Sequence, residues 1–498
     1  MGLGLYERIK QGEDVRKHLI ALKQELKGEA AREELLGALQ GDYTVFGSLL
    51  SHEDPKVRKN AALVLGRLGG DGTAALLYGA YCREGTLFVK SSYLLALEGL
   101  DLASCREGLA RRLEELEAYQ AKEEEEKHIR EEVAALRKLL PSGEGHKRHR
   151  FQGYDGTYDL LLTTGKLYPK VTAEQVKGGK AVLLKGGVRV VTSHIKPVLA
   201  IPTYRELLFF LNVRKVSGAA KEAAKALVQS NLLELLEKAH QPAGPFYFRL
   251  GVKSRMLLDQ RSKFAKECAF AIEQESGRRL RNSTSGYELE IRLVEASDGM
   301  FLPFVKLFTF TEHRFAYRKC TIAASIKPEQ AALAARLSRP YMKEGAQVLD
   351  PFCGVGTMLI ERDRLCPAGY LYGLDIFGPA IDGAKENARL AGKGIYYIHR
   401  DFFTFQHDYL FDEIITNMPG RGQGGRGKEG QDLLYSRFFE KAGSLLKGKG
   451  QVIMYSDEKN FVKKQLRIRP EFTLLQEYAM DEKGIYHLFI IEKKEHTP

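Results

Sequence analysis

The chain has 498 residues, too many for one hydrophobic core, so two to four domains are expected. Its 44% apolar share is that of a globular protein, and no apolar run approaches a membrane span, so no membrane role is expected. The net charge of +12 points instead to a polyanionic partner, for which nucleic acid is the natural choice. Six cysteines, at 82, 105, 268, 320, 353 and 366, form no C-x-x-C pair, and the 12 histidines show no metal spacing. Neither a disulfide frame nor a metal site is expected, and the fitting compartment is a reducing cytoplasm. Met1-Gly-Leu-Gly-Leu-Tyr-Glu-Arg8 lacks the apolar core of a signal peptide.

Residues 1–140 read as almost wholly helical. The pattern Asp54-Pro55-x-Val57-Arg58-x-x-Ala61-x-x-x-Leu65-Gly66-x-Leu68 returns loosely from Val89 through Tyr93 and Leu97 to Leu100, at an offset of 32. Helix pairs at such a period suggest a short solenoid, and D-P-x-V-R resembles a HEAT repeat. The segment Leu19–Leu50 is expected to cap it, and one helix over 107–140 to close the far end. Such a surface binds protein or nucleic acid without chemistry, and a protein partner is one expectation; a helical bundle that merely supports the rest is the other reading.

Pro141-Ser-Gly-Glu-Gly-His-Lys-Arg-His-Arg150 reads as a linker with a basic cluster. Residues 151–202 turn to β character, and 203–240 are expected to return to helix, with strong helix formers across Ala219–Ala239. From 245 to 310 the pattern is strand, helix, strand, strand. Arg249, Lys253, Arg255, Arg261 and Lys263 belong to a basic cluster around that helix, expected at 260–276. This pattern is similar to the α/β half of a THUMP domain, which implies a grip on structured RNA through shape and phosphate.

The C-terminal part is organised around Val348-Leu-Asp-Pro-Phe-Cys-Gly-Val-Gly-Thr-Met-Leu-Ile-Glu361, a strand, a glycine turn and a helix starting near Thr357. Gly354 and Gly356 allow backbone to approach a ligand, and the helix N-terminus offers free N–H groups to an anion. Leu359 stands where the dinucleotide fingerprint needs its third glycine. Three further strand ends follow: Asp375 after Gly369–Leu374, placed for ribose hydroxyls and followed by Ile376; Asp401 with Phe402, able to hold an adenine by its amine and its face; and Asn417-Met418-Pro419 after Phe411–Thr416. That order is the one an S-adenosylmethionine (SAM) site needs. The cofactor set is therefore Asp350, Phe352, Cys353, Gly354, Gly356, Thr357, Asp375, Ile376, Asp401, Phe402 and Asn417. A helix at 432–446, a strand at Gln451–Ser456 and a terminal strand at Tyr486–Ile491 complete a parallel doubly wound sheet.

Asp350-Pro-Phe-Cys-Gly-Val-Gly-Thr with Asn417-Met-Pro resembles the class I methyltransferase domain of RNA guanine-N2 methyltransferases, a group often joined to a THUMP domain. Phe315-Ala-Tyr-Arg-Lys319 and Ala324-Ser-Ile-Lys-Pro328 resemble that group's lead-in to the catalytic domain. The resemblance implies a multidomain chain: an all-α HEAT-like solenoid over 1–140, an α+β connecting domain over 151–240, a THUMP-like RNA-binding module over 241–320, and a Rossmann-like class I methyltransferase over 321–498. It implies methylation of a guanine N2 amine in tRNA or rRNA, with Asn417, Met418 and Pro419 catalytic and SAM as methyl donor. Arg318, Lys319, Arg421 and Arg426 join the RNA-contacting set. Asn417 Oδ1 and the Met418 carbonyl would accept both amine hydrogens, and Pro419 would stiffen the turn. Gly420 stands where the group usually has an aromatic for the target base, so Phe352 and Phe402 are the candidates to replace that ring. Adenine-N6 methylation and a scaffold carrying an inactive SAM fold are the alternatives.

Overall fold

The computed structural model describes residues 2–119, 123–140, 149–310, 313–420 and 427–495. Contacts divide the chain into two compact units. One comprises Met1–Arg148, Pro245–Arg249 and Ser276–Tyr287; the other comprises His149–Gly244, Leu250–Glu275 and Glu288–Pro498. No helix of the described residues is long and apolar enough to cross a membrane.

In the first unit, helices α1 (Pro55–Leu68) and α2 (Leu87–Ala96) pack together. The residues at offset 32 are buried in pairs, Val57 with Val89, Ala61 with Tyr93 and Leu65 with Leu97. Gly66 is required at this crossing, because a Cβ there would stand 2.3 Å from the Ala96 carbonyl oxygen. Asp54 caps α1 by accepting from Lys56 N–H at 2.8 Å, and Arg58 forms a two-point ion pair with Glu84. The single helix expected over 107–140 is instead two, Arg106–Ala118 and Glu123–Leu139, with the backbone extended at Tyr119.

The second unit contains two sheets. Strands β1 (Tyr158–Thr163), β2 (Gly179–Leu184), β3 (Gly187–Thr192) and β4 (Glu206–Phe210) precede β5 (Phe246–Lys253), β6 (Leu280–Asn282), β7 (Leu289–Glu295) and β8 (Phe301–Leu307). The antiparallel order β2-β3-β1-β4-β8-β7 builds the first sheet. The first half of β5 belongs to the other unit, where Phe246–Phe248 pairs in parallel with β6. Helix α3 (Leu258–Glu275) stacks Phe264 on Phe301 of β8, ring centroids 5.1 Å apart.

One expectation fails here. Residues 206–210 are a strand, not helix; Leu207, Leu208 and Phe209 are buried, so the run lacks alternation and does not read as a strand. The first sheet also runs across the expected boundary at 240/241, because β4 pairs with β8 through Phe210 and Phe304, nearly a hundred residues apart. Composition cannot reveal a sheet assembled from such distant strands.

The C-terminal sheet holds β9 (Gln347–Asp350), β10 (Tyr370–Asp375), β11 (Tyr396–His399), β12 (Phe411–Asn417), β13 (Leu446–Ser456), β14 (Phe472–Ala479) and β15 (His487–Lys493). The order is β11-β10-β9-β12-β13-β15-β14, parallel from β11 to β13 and antiparallel at β15 and β14. β14 had no counterpart in the sequence reading. Helices α4 (Pro328–Ser338), α5 (Thr357–Leu365), α6 (Gly378–Ala391), α7 (Lys428–Leu445) and α8 (Lys459–Ile468) accompany these strands. Adjacent residues serve opposite faces: Leu349, Ile414 and Val452 join the core with Phe438 and Phe439 of α7. Val348, Ile415 and Ile453 join the other, with Ala331 of α4 and Leu359 of α5. Both faces are thus covered, as a parallel sheet requires.

Candidate functional site

The strand order reverses at β9 and β12, and the crevice beyond their carboxyl ends is where open α/β sheets hold ligands. A cavity of about 590 Å³ opens there. Its wall includes Asp350 from the end of β9, Asp375 from β10, Asp401 beyond β11 and Asn417 from β12. Phe352, Cys353, Gly354, Thr357, Ile376 and Phe402 of the expected cofactor set line it too, as does Pro419. Gly356 and Met418 do not. Gly356 works from behind: at φ +81° it starts α5, and a Cβ there would meet the Tyr397 hydroxyl. Met418 is buried in the core, its N–H donating to the Tyr455 carbonyl at 2.9 Å.

The carboxylates differ in their partners. Asp375 accepts from Gly354 N–H and Phe377 N–H, each at 2.9 Å, so it ties the glycine turn to the end of β10. Asp401 caps the short turn Phe402–Thr404 through Phe403 N–H at 2.9 Å. Asp350 is 1% exposed; its Oδ1 accepts from Phe352 N–H at 3.1 Å, while its Oδ2 is buried without a partner. Burial, reinforced by the negative charge of Asp375, pushes its carboxyl up to about 7. The Thr357 hydroxyl beside it in the wall is also buried and unpartnered. Burial holds the Cys353 thiol well above its ordinary range, so it is no nucleophile.

The aromatic wall corrects one expectation. Phe402 is 1% exposed, packed among Phe352, Phe403 and Phe438, and has no face left for a target base. Phe403, its neighbour, keeps an accessible ring in the cavity, and the Arg437 guanidinium of α7 lies 4.0 Å over it. Neither Phe403 nor Arg437 was expected, and the same is true of Ile322 and Ser325 in the lead-in, which also line the cavity. The resemblance of Ala324–Pro328 to a family lead-in was the only signal for that strap. Ile376, Phe377 and Leu433 leave apolar side chains exposed in the same wall.

The proposed RNA contacts have different surroundings. Arg249 lies in the first unit, its guanidinium 4.5 Å from the Tyr287 ring, whereas Lys253, Arg255, Arg261 and Lys263 lie in the second. Arg255 is spent on Glu295, with Nε at 3.1 Å and Nη2 at 2.8 Å from Oε1. Arg318 donates to the Ile326 carbonyl at 3.1 Å and so braces the strap rather than facing outward; Lys319 is exposed. Arg421 and Arg426 lie outside the described residues.

Behind the cavity, Arg362 of α5 is fully buried and paired at two points with Glu413 of β12, Nη2 to Oε2 at 2.9 Å. This clamps the glycine-turn helix to the strand that delivers Asn417. The lead-in is clamped as well: Asn387 accepts from Lys319 N–H and Cys320 N–H and donates to the carbonyls of Cys320 and Val355, each at 3.0 Å.

Residues 316–483 match UPF0020, the RMKL-like methyltransferase domain. The C-terminal region has a class I methyltransferase-like fold. A tRNA (guanine(10)-N2)-dimethyltransferase of Methanothermobacter thermautotrophicus is 28% identical over 170 residues, covering 33% of this chain and 49% of that protein. The U6 snRNA (guanine-N(2))-methyltransferase THUMPD2 of Bos taurus is 43% identical over 58 residues, 12% of each chain. The chain thus spans about half the length, or less, of these relatives. The solved structure of SMU.472 complexed with SAH, 15% identical, superposes with a TM-score of 0.53 over 69% of this chain and all of that one, a likeness of fold.

Proposed function

We propose that this protein is a SAM-dependent RNA methyltransferase acting on the exocyclic N2 amine of guanosine in tRNA or rRNA. The observation that carries the reading is the convergence of Asp350, Asp375, Asp401 and Asn417, from four neighbouring strands, on one cavity of about 590 Å³. The guanine-N2 methyltransferases similar to residues of this chain support the acceptor assignment.

The residues present fit the cofactor. The orphaned Oδ2 of Asp350 and the Thr357 hydroxyl suit an ammonium group, Asp375 has lone pairs left for ribose hydroxyls, and Ile376 and Phe377 offer apolar surface to an adenine. SAM, when bound, supplies an electrophilic methyl on a sulfonium. The chain's own work is positioning. Asn417 Oδ1 and the Met418 carbonyl accept the two hydrogens of the target amine and draw its lone pair out of the ring. No strong base is needed, in keeping with a neutral side chain at 417. Phe403, stiffened by Arg437, is the ring on which a base stacks, a contact worth about 1–3 kcal/mol. In the first unit, the buried pairs at offset 32 support a HEAT-like reading, whose occupant would be a protein.

The test is labelled methyl transfer from SAM to purified tRNA, rRNA and DNA, with nucleoside mass spectrometry. N2-methylguanosine in one RNA class is the expected product. Methylated adenine would replace the acceptor assignment, and absence of both SAM binding and label would overturn the reading.

A further inference from the structure

We infer that Gln431 is a positioning residue for methyl transfer, its buried amide fixing the Asn417-Met418-Pro419 turn that holds the target amine; this rests on the function proposed above. Gln431 lies in the first turn of α7, is 1% exposed and does not line the cavity. Its Nε2 donates to the Pro419 carbonyl at 2.7 Å. Its Oε1 is buried and has no partner among the described residues. A primary amide shut away from water for a single hydrogen bond adds little to stability, because desolvation cancels most of the gain. What this amide achieves is geometric.

The turn leaves β12 with the Met418 N–H fixed on the Tyr455 carbonyl at 2.9 Å. Gln431 fixes its other end, and the ring of Pro419 sets the φ angle between the two anchors. The Met418 carbonyl lies between them, so its direction is set from both sides. Helix α7 is itself tied to the end of β13, with Tyr435 Oη and Ser456 Oγ 2.6 Å apart. The same helix lends Gly430, Leu433, Leu434 and Arg437 to the cavity wall. One helix therefore aligns the acceptor carbonyl with the wall against which the base lies. An in-line displacement tolerates little misplacement of the attacking nitrogen, so loss of the tether falls on the chemical step rather than on binding.

The test uses the full-length protein, the nucleic acid that the wild type methylates and saturating SAM. Gln431→Met keeps the length and bulk of the side chain but has no donor. It should lower kcat roughly tenfold, while KM for the nucleic acid and the calorimetric affinity for SAM stay within about twofold. Gln431→Asn holds its amide one methylene short of the carbonyl and should lose kcat to a similar extent. It decides the matter where the Met variant does not fold. An unchanged kcat in a folded variant, or a loss confined to KM or to SAM affinity, would overturn the Gln431 assignment alone. A wild type that methylates no nucleic acid would overturn it together with the function proposed above.

Discussion

Two buried polar clusters in the second unit teach opposite lessons. In the first sheet, Arg292 donates to Glu206 and Glu290, both at 2.6 Å, and Lys306 adds a bond to Glu206 at 2.7 Å. Every charge has its counter-charge, and the guanidinium of Arg292 leads in holding Glu206 down at about 2. In the cavity, Asp350 is more deeply buried, has an orphaned oxygen and sits beside another carboxylate; its carboxyl is pushed up to about 7. The same residue class is neutralised from within in one place and has no cationic partner among the described residues in the other. A cluster that closes on itself is scaffold; one that does not is a binding site.

The contrast can be broken most directly by mutation. Asn417→Ala should cost about 100-fold or more in turnover while leaving SAM affinity within about twofold, read by single-turnover transfer and calorimetry. Full activity in that variant would remove Asn417 from the chemistry. Arg292→Ala strands two carboxylates and should destabilise the fold by about 2–4 kcal/mol, reduced from the fully buried case by partial exposure of Glu206. Urea unfolding should show the loss, and SAM affinity should be untouched at permissive temperature. Asp375→Ala should weaken SAM about tenfold to 100-fold, or about 1.4–2.7 kcal/mol, and unchanged calorimetric affinity would refute the ribose assignment.

The clusters should also have opposite pH signatures. Asp350 binds its proton more tightly folded than unfolded, so the associated stability is full below about 4 and lost as pH rises through 7. Glu206, held low, contributes stability that is present above its unfolded value and lost only as pH falls towards 2. A cationic ligand needs Asp350 ionised, so SAM affinity should rise about tenfold or more from pH 5.5 to 8. Asp350→Asn should flatten that profile. The smallest effect expected is at the surface: Arg255→Ala, losing the pair of its exposed guanidinium with Glu295 and its bond to the Ala296 carbonyl, should move the unfolding midpoint little.

What could be read in advance follows the same division. Asp350, Asp375, Asp401 and Asn417 were legible because each closes an apolar strand with a polar residue that core packing has no use for. Phe402 and Phe403 are adjacent and chemically identical, and only the turn capped by Asp401 decides which ring is buried. Arg437 belongs to a local pattern that reads as ordinary helix surface; its place over Phe403 arises from a neighbour distant in sequence. The run Glu206–Phe210 read as helix because a strand buried on both faces has no period to display. The basic residues around 249–266 were a charge count, and the structure spends part of that count on internal partners such as Glu295.

One buried amide sets the smallest C-terminal piece that can be excised from this chain. Asn387, fully buried, exchanges its hydrogen bonds with Lys319, Cys320 and Val355, and Tyr317 supplies the hydroxyl that satisfies Glu361 at 2.8 Å. A fragment beginning at residue 321 discards three of those partners, leaving Glu361 with Arg364 and Asn387 with the Val355 carbonyl. A fragment beginning ahead of Phe315 keeps them, so dissection of the protein should cut there and carry the lead-in along as part of the domain's own floor.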